Sequence, residues 1–245
     1  GTLVAGNDFR NPVVFAKEAA TIDLLSDGRF MMGLGAGWMK EDYTITGITQ
    51  DDALTRIERL EEAITVMRGL WGAGPFSHEG RFYSVSEIDA QPKPISNIPI
   101  TVGGGGPKLL AMAARKADVV GINPKIVGRS INPRSMATAA ADVVDEKIGY
   151  VKAAAGDRFD QLELQLQVFA TVVTDDPMAV AEKMAPMFGL PPEVVLQAPY
   201  FQIGSVQQII ENITMLRERW GITYIAFQQD ATAAMAPVVA ALAGK

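Results

Sequence analysis

Apolar positions follow two rhythms along this chain, short unbroken runs and longer stretches stepped by three and four. Thr2-Leu3-Val4-Ala5-Gly6 is a short apolar run and predicts a buried strand. Asn11-Pro12 opens a helix, with Pro12 suited to the first turn, and Ser26-Asp27-Gly28 supplies its glycine stop. Arg29 to Leu34 predicts the next strand. Phe30, Met31 and Met32 are continuously apolar, as expected where both faces of a sheet are covered. Ile57, Leu60, Ile64, Met67 and Trp71 then mark an amphipathic helix. Residues 72–98 read as an insertion rich in turn residues, in which alternating Phe76, His78, Gly80 and Phe82 suggest a short hairpin.

Pro99-Ile100-Thr101-Val102 is a strand running into four glycines, and Pro107 starts the helix after them. Ala117 to Ile122 is a further strand. Residues 125–140 look irregular, and Asp142 to Ala155 looks helical. Leu162 to Val173 alternates as one long segment. A helix from near Pro177 leads into a looser, proline-rich region. Val206, Ile209, Ile210, Ile213, Leu216 and Trp220 mark a second strong amphipathic helix, stopped by Gly221. Ile222 to Phe227 is the last strand, and an alanine-rich helix from about Ala231 to Leu242 follows it. Six strands, each followed by a helix or helical region, predict an α/β protein with a parallel sheet and helical crossovers. Periodicity alone fits an open doubly wound sheet as well as a barrel lacking two units.

Composition narrows the chemistry. The chain has 245 residues, 48% hydrophobic and 20% charged, enough for one large core. A net charge of −6 argues against a nucleic-acid surface. With no cysteine, disulfides, thiolate metal sites and cysteine nucleophiles are excluded. With a single histidine, His78, the chain alone cannot build a histidine-ligated metal site, and a bland surface role for His78 is expected. No apolar run reaches the ~18 residues that cross a bilayer. No secretion signal opens the chain, so a cytoplasmic protein is expected.

Two glycine clusters carry the candidate chemistry. Gly33-Leu34-Gly35-Ala36-Gly37-Trp38 ends a strand, where glycine admits a ligand to the backbone; a tight turn explains the pattern equally well. Gly103-Gly104-Gly105-Gly106-Pro107-Lys108 joins a strand to a helix. Free N–H groups at a helix start, the positive dipole end and an adjacent lysine make an anion cradle, and phosphate binding is expected there. Asn7-Asp8-Phe9-Arg10 follows the first strand, with capping by Asp8 or Asn11 as its plainer explanation. Lys125, Arg129 and Arg134 stand out in an acidic chain, although each alone reads as a solvated loop residue.

Taken together, Gly1 to Val4 with Asn11-Pro12, TIDLLSDGR at Thr21–Arg29, GLGAGW at Gly33–Trp38, EGRFY at Glu79–Tyr83 and PITVGGGGPK at Pro99–Lys108 resemble the luciferase-like monooxygenase superfamily. The details look most like its actinobacterial F420-dependent subgroup. The resemblance implies a (β/α)8 TIM barrel with an insertion, forming one domain over residues 1–245. On that alignment Gly1 begins near the third strand, so the first two β/α units, roughly 50–70 residues, are absent from this chain. It further implies a cofactor at the carboxyl ends of the strands. Gly103, Gly104, Gly105, Gly106, Pro107 and Lys108 would hold its phosphate. Gly35, Ala36, Gly37 and Trp38 would line its ring or side chain. Leu3 and Val4, joined by a non-proline cis peptide, would lie beneath the ring. Lys125, Arg129 or Arg134 would meet an acidic cofactor tail. Catalytic residues are unknown; Asn7, Asp8 and Glu41 are weak candidates for a proton donor. The implied function is an F420-dependent oxidoreductase moving hydride to or from a small organic substrate, and a homodimer. An FMN-dependent monooxygenase and a non-catalytic flavin-binding or interaction protein stand as alternatives.

Overall fold

The computed structural model describes residues 1–128 and 132–244 and divides the chain into two compact units. The first comprises residues 1–103, 108–120 and 154–162, and the second residues 104–107, 121–153 and 163–245.

In the first unit, strand β1 is short, Ala5–Gly6, and leads through a 3-10 turn into helix α1, Pro12–Leu25. Asn11 is the N-cap: its side chain accepts from the Val13 and Val14 N–H groups. Strand β2, Met32–Gly35, is buried throughout, as its unbroken apolar character requires. Helix α2, Lys40–Thr46, and helix α3, Ala53–Trp71, follow. The side chain of Asp52 caps α3 by accepting from Leu54 and Thr55. The buried stripe of α3 is wider than the sequence pattern suggested, for it includes Arg56, Ala63, Val66 and Leu70 beside Leu60, Ile64 and Met67. Its Trp71 indole donates to the Ala16 carbonyl of α1 at 2.9 Å.

The insertion forms the expected hairpin, β3 (Phe76–Glu79) antiparallel to β4 (Ser84–Ile88). Strand β5 is Ile100–Gly104, helix α4 is Pro107–Lys116 and strand β6 is Val119–Ile122. β1, β2 and β5 are consecutive neighbours and parallel. Ala5 lies opposite Leu34, Met32 opposite Ile100, and Leu34 opposite Val102.

In the second unit, residues 125–140 are not wholly irregular. They contain helix α5, Pro133–Met136, capped by Asn132. Helix α6, Ala141–Ala155, matches the sequence pattern. The alternating segment 162–173 is two strands, β7 (Glu163–Gln167) and β8 (Ala170–Val173). Between them the Val168 N–H turns to the Ala226 carbonyl and the Phe169 N–H to that of Tyr200, so the two strands join different partners. After helix α7, Pro177–Phe188, the proline-rich region forms helix α8, Pro192–Gln197, and strand β9, Phe201–Gly204. β9 pairs in parallel with β8, Thr171 opposite Gln202. Helix α9, Val206–Trp220, opens with a capping box between Ser205 and Gln208. Strand β10, Ile222–Ala226, runs parallel to β7, and helix α10 is Thr232–Leu242. The expected count of six strands therefore merges β7 with β8 and misses β9; the hairpin stands apart as the insertion.

Candidate functional site

Because β2 and β5 are parallel neighbours in the register given above, both glycine clusters leave the sheet at carboxyl ends of strands. Within the first cluster the glycines have different reasons. A Cβ on Gly33 would fall on the Thr2 carbonyl, and one on Gly35 would come within 2.8 Å of Val4 Cγ2. These two glycines let β2 pack closely on the Thr2–Val4 segment, so ligand approach is not needed to explain them. The Leu3-Val4 peptide is cis, as the resemblance implied, and both side chains are exposed. Gly37 has φ +75°, and a Cβ there would strike the Tyr43 hydroxyl. Ala36 is buried and Trp38 is 36% exposed.

A dense polar network surrounds this loop. Asp8, whose side chain is 1% exposed, accepts from the Tyr43 hydroxyl at 2.8 Å and from Arg59 at 2.9 Å. Arg59 also pairs with Asp51. Arg56, 6% exposed, donates from Nε to the Ala36 carbonyl at 3.0 Å, from Nη2 to that of Gly37 at 3.3 Å, and from Nη1 to that of Asp51. Gln50 donates to the Trp38 carbonyl at 3.3 Å. Burial first, and the bond to Asp8 second, push the Tyr43 phenol well above its ordinary range, so it stays a neutral donor.

The three weak proton-donor candidates fare differently. The Asp8 carboxylate is committed to Arg59 and Tyr43, which makes it structural. Asn7 is buried and donates to the Tyr83 hydroxyl at 3.3 Å. Glu41 is exposed in the first turn of α2.

His78 departs from the expected surface role. It is half-buried, with Nε2 3.3 Å from the Glu62 carboxylate. Glu62 on α3 also accepts from the backbone N–H groups of Arg81, Phe82 and Tyr83, which docks the hairpin tip on the helix. The low surface exposure raises the Glu62 pKa, but the Tyr83, Phe82 and His78 bonds outweigh it, and the net shift is downward.

The second cluster separates more sharply. A Cβ on Gly105 would collide with the backbone of Asn123 to Lys125, so that glycine is required by packing. Around Gly106 nothing lies within 4 Å of a Cβ, and its φ is not in the left-handed region. Neither space nor backbone conformation in the protein itself demands glycine at 106. It stands just before Pro107, the first residue of α4, an N-cap position that glycine suits although it offers no side chain to accept from the helix start. Lys108 is exposed.

Asn123, just after β6, is a residue the sequence reading missed. Its backbone N–H donates to the Gly104 carbonyl at 2.9 Å, while its side-chain Oδ1 is buried without a partner among the described residues. Buried polar atoms are rarely left unpaired, which makes such an orphan a signal, but nothing in the sequence shows it. Lys125 and Arg134 are exposed. Arg129 lies outside the described residues. Among the described residues no group of acidic or histidine side chains is arranged to hold a metal, and no helix is long and apolar enough to cross a membrane.

The chain is similar over part of its length to several curated proteins, among them the following two. One is the F420-dependent glucose-6-phosphate dehydrogenase of Microbacterium testaceum, 34% identical over 119 residues, which are 48% of this chain and 35% of that protein. The other is the pyrimidine monooxygenase RutA of Methylobacterium radiotolerans, 32% identical over 170 residues, 69% of this chain and 42% of that one. The matched stretches thus span less than half of either relative. Among solved structures, an F420-dependent secondary alcohol dehydrogenase in complex with an F420-acetone adduct superposes with a TM-score of 0.68 at 19% identity. That match covers 89% of this chain and 69% of the other, and at such identity it shows the fold. The family described as luciferase-like monooxygenase matches residues 1–237, so this α/β chain, with the barrel-type fold of its structural neighbours, belongs to the luciferase-like monooxygenase family.

Proposed function

We propose that the chain serves an F420-dependent oxidoreductase that moves hydride between the deazaflavin and a small organic substrate. Gly106 carries this reading: it is a glycine with open space, ordinary backbone and no capping side chain, placed where a helix begins after a strand. A phosphate accepting from the N–H groups of this start, with Lys108 adding charge, gives the glycine a purpose that packing does not. The unpaired Asn123 Oδ1 beside the loop is an acceptor, so it calls for a donor such as a ligand hydroxyl and not for the phosphate itself. When bound, the deazaflavin supplies hydride transfer. The chain's own residues bind and orient: Gly104 to Lys108 hold the phosphate, and Ala36 to Trp38, together with Leu3 and Val4, line the ring. The relative and the structural neighbour whose names specify F420 support this choice.

A second reading, an FMN-dependent monooxygenase, is favoured by the RutA relative, which matches a larger share of the chain. Both cofactors carry a phosphate, so the loop serves either. Equilibrium titration of the protein with F420 and with FMN, followed by absorbance and fluorescence, separates the two. Tighter binding of F420 supports the first reading, tighter binding of FMN the second, and binding of neither contradicts both. Cytoplasmic location and a homodimer accompany the reading, and sedimentation of the purified protein tests the latter.

A further inference from the structure

Arg56 is a buried cation with an unusual set of partners. Arg59, one turn along α3, is matched by two carboxylates, Asp8 and Asp51. Arg56 has no carboxylate within ion-pair distance among the described residues; it is held by the backbone carbonyls of Ala36, Gly37 and Asp51 and lies 6.0 Å from the Tyr43 ring centroid. In a trans peptide the C=O and N–H point in opposite directions. The peptides that follow Ala36 and Gly37 are both trans. Since both carbonyls face the Arg56 guanidinium, the N–H groups of Gly37 and Trp38 face away from it. Neither N–H has a hydrogen-bond partner among the described residues. Gly37, at φ +75°, is the residue between the two peptides.

We propose that Arg56 is a positioning residue that locks Ala36 to Trp38 so that the Gly37 and Trp38 N–H groups form a donor pair for a carbonyl oxygen of the bound cofactor ring. The positive charge behind these two peptides has no paired carboxylate among the described residues, and it polarises them toward an electron-rich acceptor. The ligand half of this inference rests on the proposed function, whereas the loop lock does not.

Two measurements keep the halves apart. Amide nitrogen-15 relaxation on cofactor-free protein reads the lock. Arg56→Met should lower the order parameters of the Gly37 and Trp38 amides from about 0.85 toward about 0.6, while residues 108–116 stay as in the parent. Arg56→Lys, which keeps the charge but lacks the guanidinium fork, should fall between the two and serves if the methionine variant does not fold. Titration with F420 and with FMN reads the donor pair. Arg56→Met should weaken the preferred cofactor by about ten-fold, with partial recovery in Arg56→Lys. Parent-like order parameters at Gly37 and Trp38 in both variants overturn the lock. A loosened loop with unchanged cofactor affinity overturns the donor pair. A parent that binds neither cofactor contradicts the functional reading and the donor pair together, and leaves the relaxation result to decide the lock.

Discussion

At the scale of single residues, the glycines look alike in the sequence and differ in the structure. Gly35 and Gly105 are explained by neighbours that leave no room, Gly37 by its backbone angle, and Gly106 by neither. Gly105→Val would therefore damage the fold and say nothing about a ligand. Gly106→Val is the informative change. It should lower stability by only about 1 kcal/mol, the cost of valine at a helix N-cap, yet bind F420 and FMN more weakly, by on the order of 1–3 kcal/mol. Calorimetric titration beside thermal unfolding checks both halves. Gly37→Ala should do the opposite. It should destabilise the protein by on the order of 1–3 kcal/mol in denaturant titration, because it meets both a left-handed φ and the Tyr43 hydroxyl. The glycine clusters and the Asn11 cap were legible because they are local. Asn123, the Arg56 carbonyl cluster and the Asp8–Arg59–Asp51 pairing were not, because they join positions far apart in sequence that only the fold brings together.

At the scale of elements, a helix with strong apolar spacing was read nearly to the residue, as α9 shows. The segment 162–173 misled because an alternating pattern reports which side chains are inward, not which neighbour each strand takes. β9 escaped because proline and glycine around it read as loop, although Phe201 to Gly204 are all buried. The hairpin offers a test at this scale. Glu62 docks its tip through three backbone N–H groups, and its pKa is lowered in the folded protein. A carboxylate depressed on folding stabilises the protein above its unfolded pKa, near 4.3, and loses that contribution as pH falls through the lower folded value. Unfolding free energies followed from pH 7 toward pH 3 should show this loss in the parent, and Glu62→Gln should flatten it. Parallel curves for the two proteins would show that the hairpin is held by other means.

Helix α6 buries Lys147, 1% exposed, whose Nζ donates to the Thr138 carbonyl at 2.6 Å and lies 5.8 Å from the Tyr200 ring centroid. Burial lowers its pKa to about 8, and neighbouring Glu146 offsets only part of that. Here the linkage has the other sign. Below pH 8 the cost of burying the charge is fully present. Between pH 8 and the unfolded value near 10.4 the unfolded chain binds more protons, so stability should rise with pH. Comparing the parent with Lys147→Met across pH 7 to 10 tests this. The parent should gain on the variant as pH rises, and a constant difference would contradict it.

At the scale of the whole molecule, the α/β class and the parallel crossovers were legible in the alternation of patterns, but the choice between an open sheet and a barrel type came from the family resemblance. The family match over residues 1–237 and the structural neighbours support that choice. The central claim is narrower: that the start of α4 takes the phosphate of the cofactor. Amide resonances of Gly104 to Lys108, leaving out Pro107, report on it directly. Nuclear magnetic resonance spectra recorded while F420 or FMN is added should show saturable shifts at these amides, with the Gly106 resonance among the most displaced. A cofactor that binds and saturates while the loop amides keep their free positions would contradict the claim.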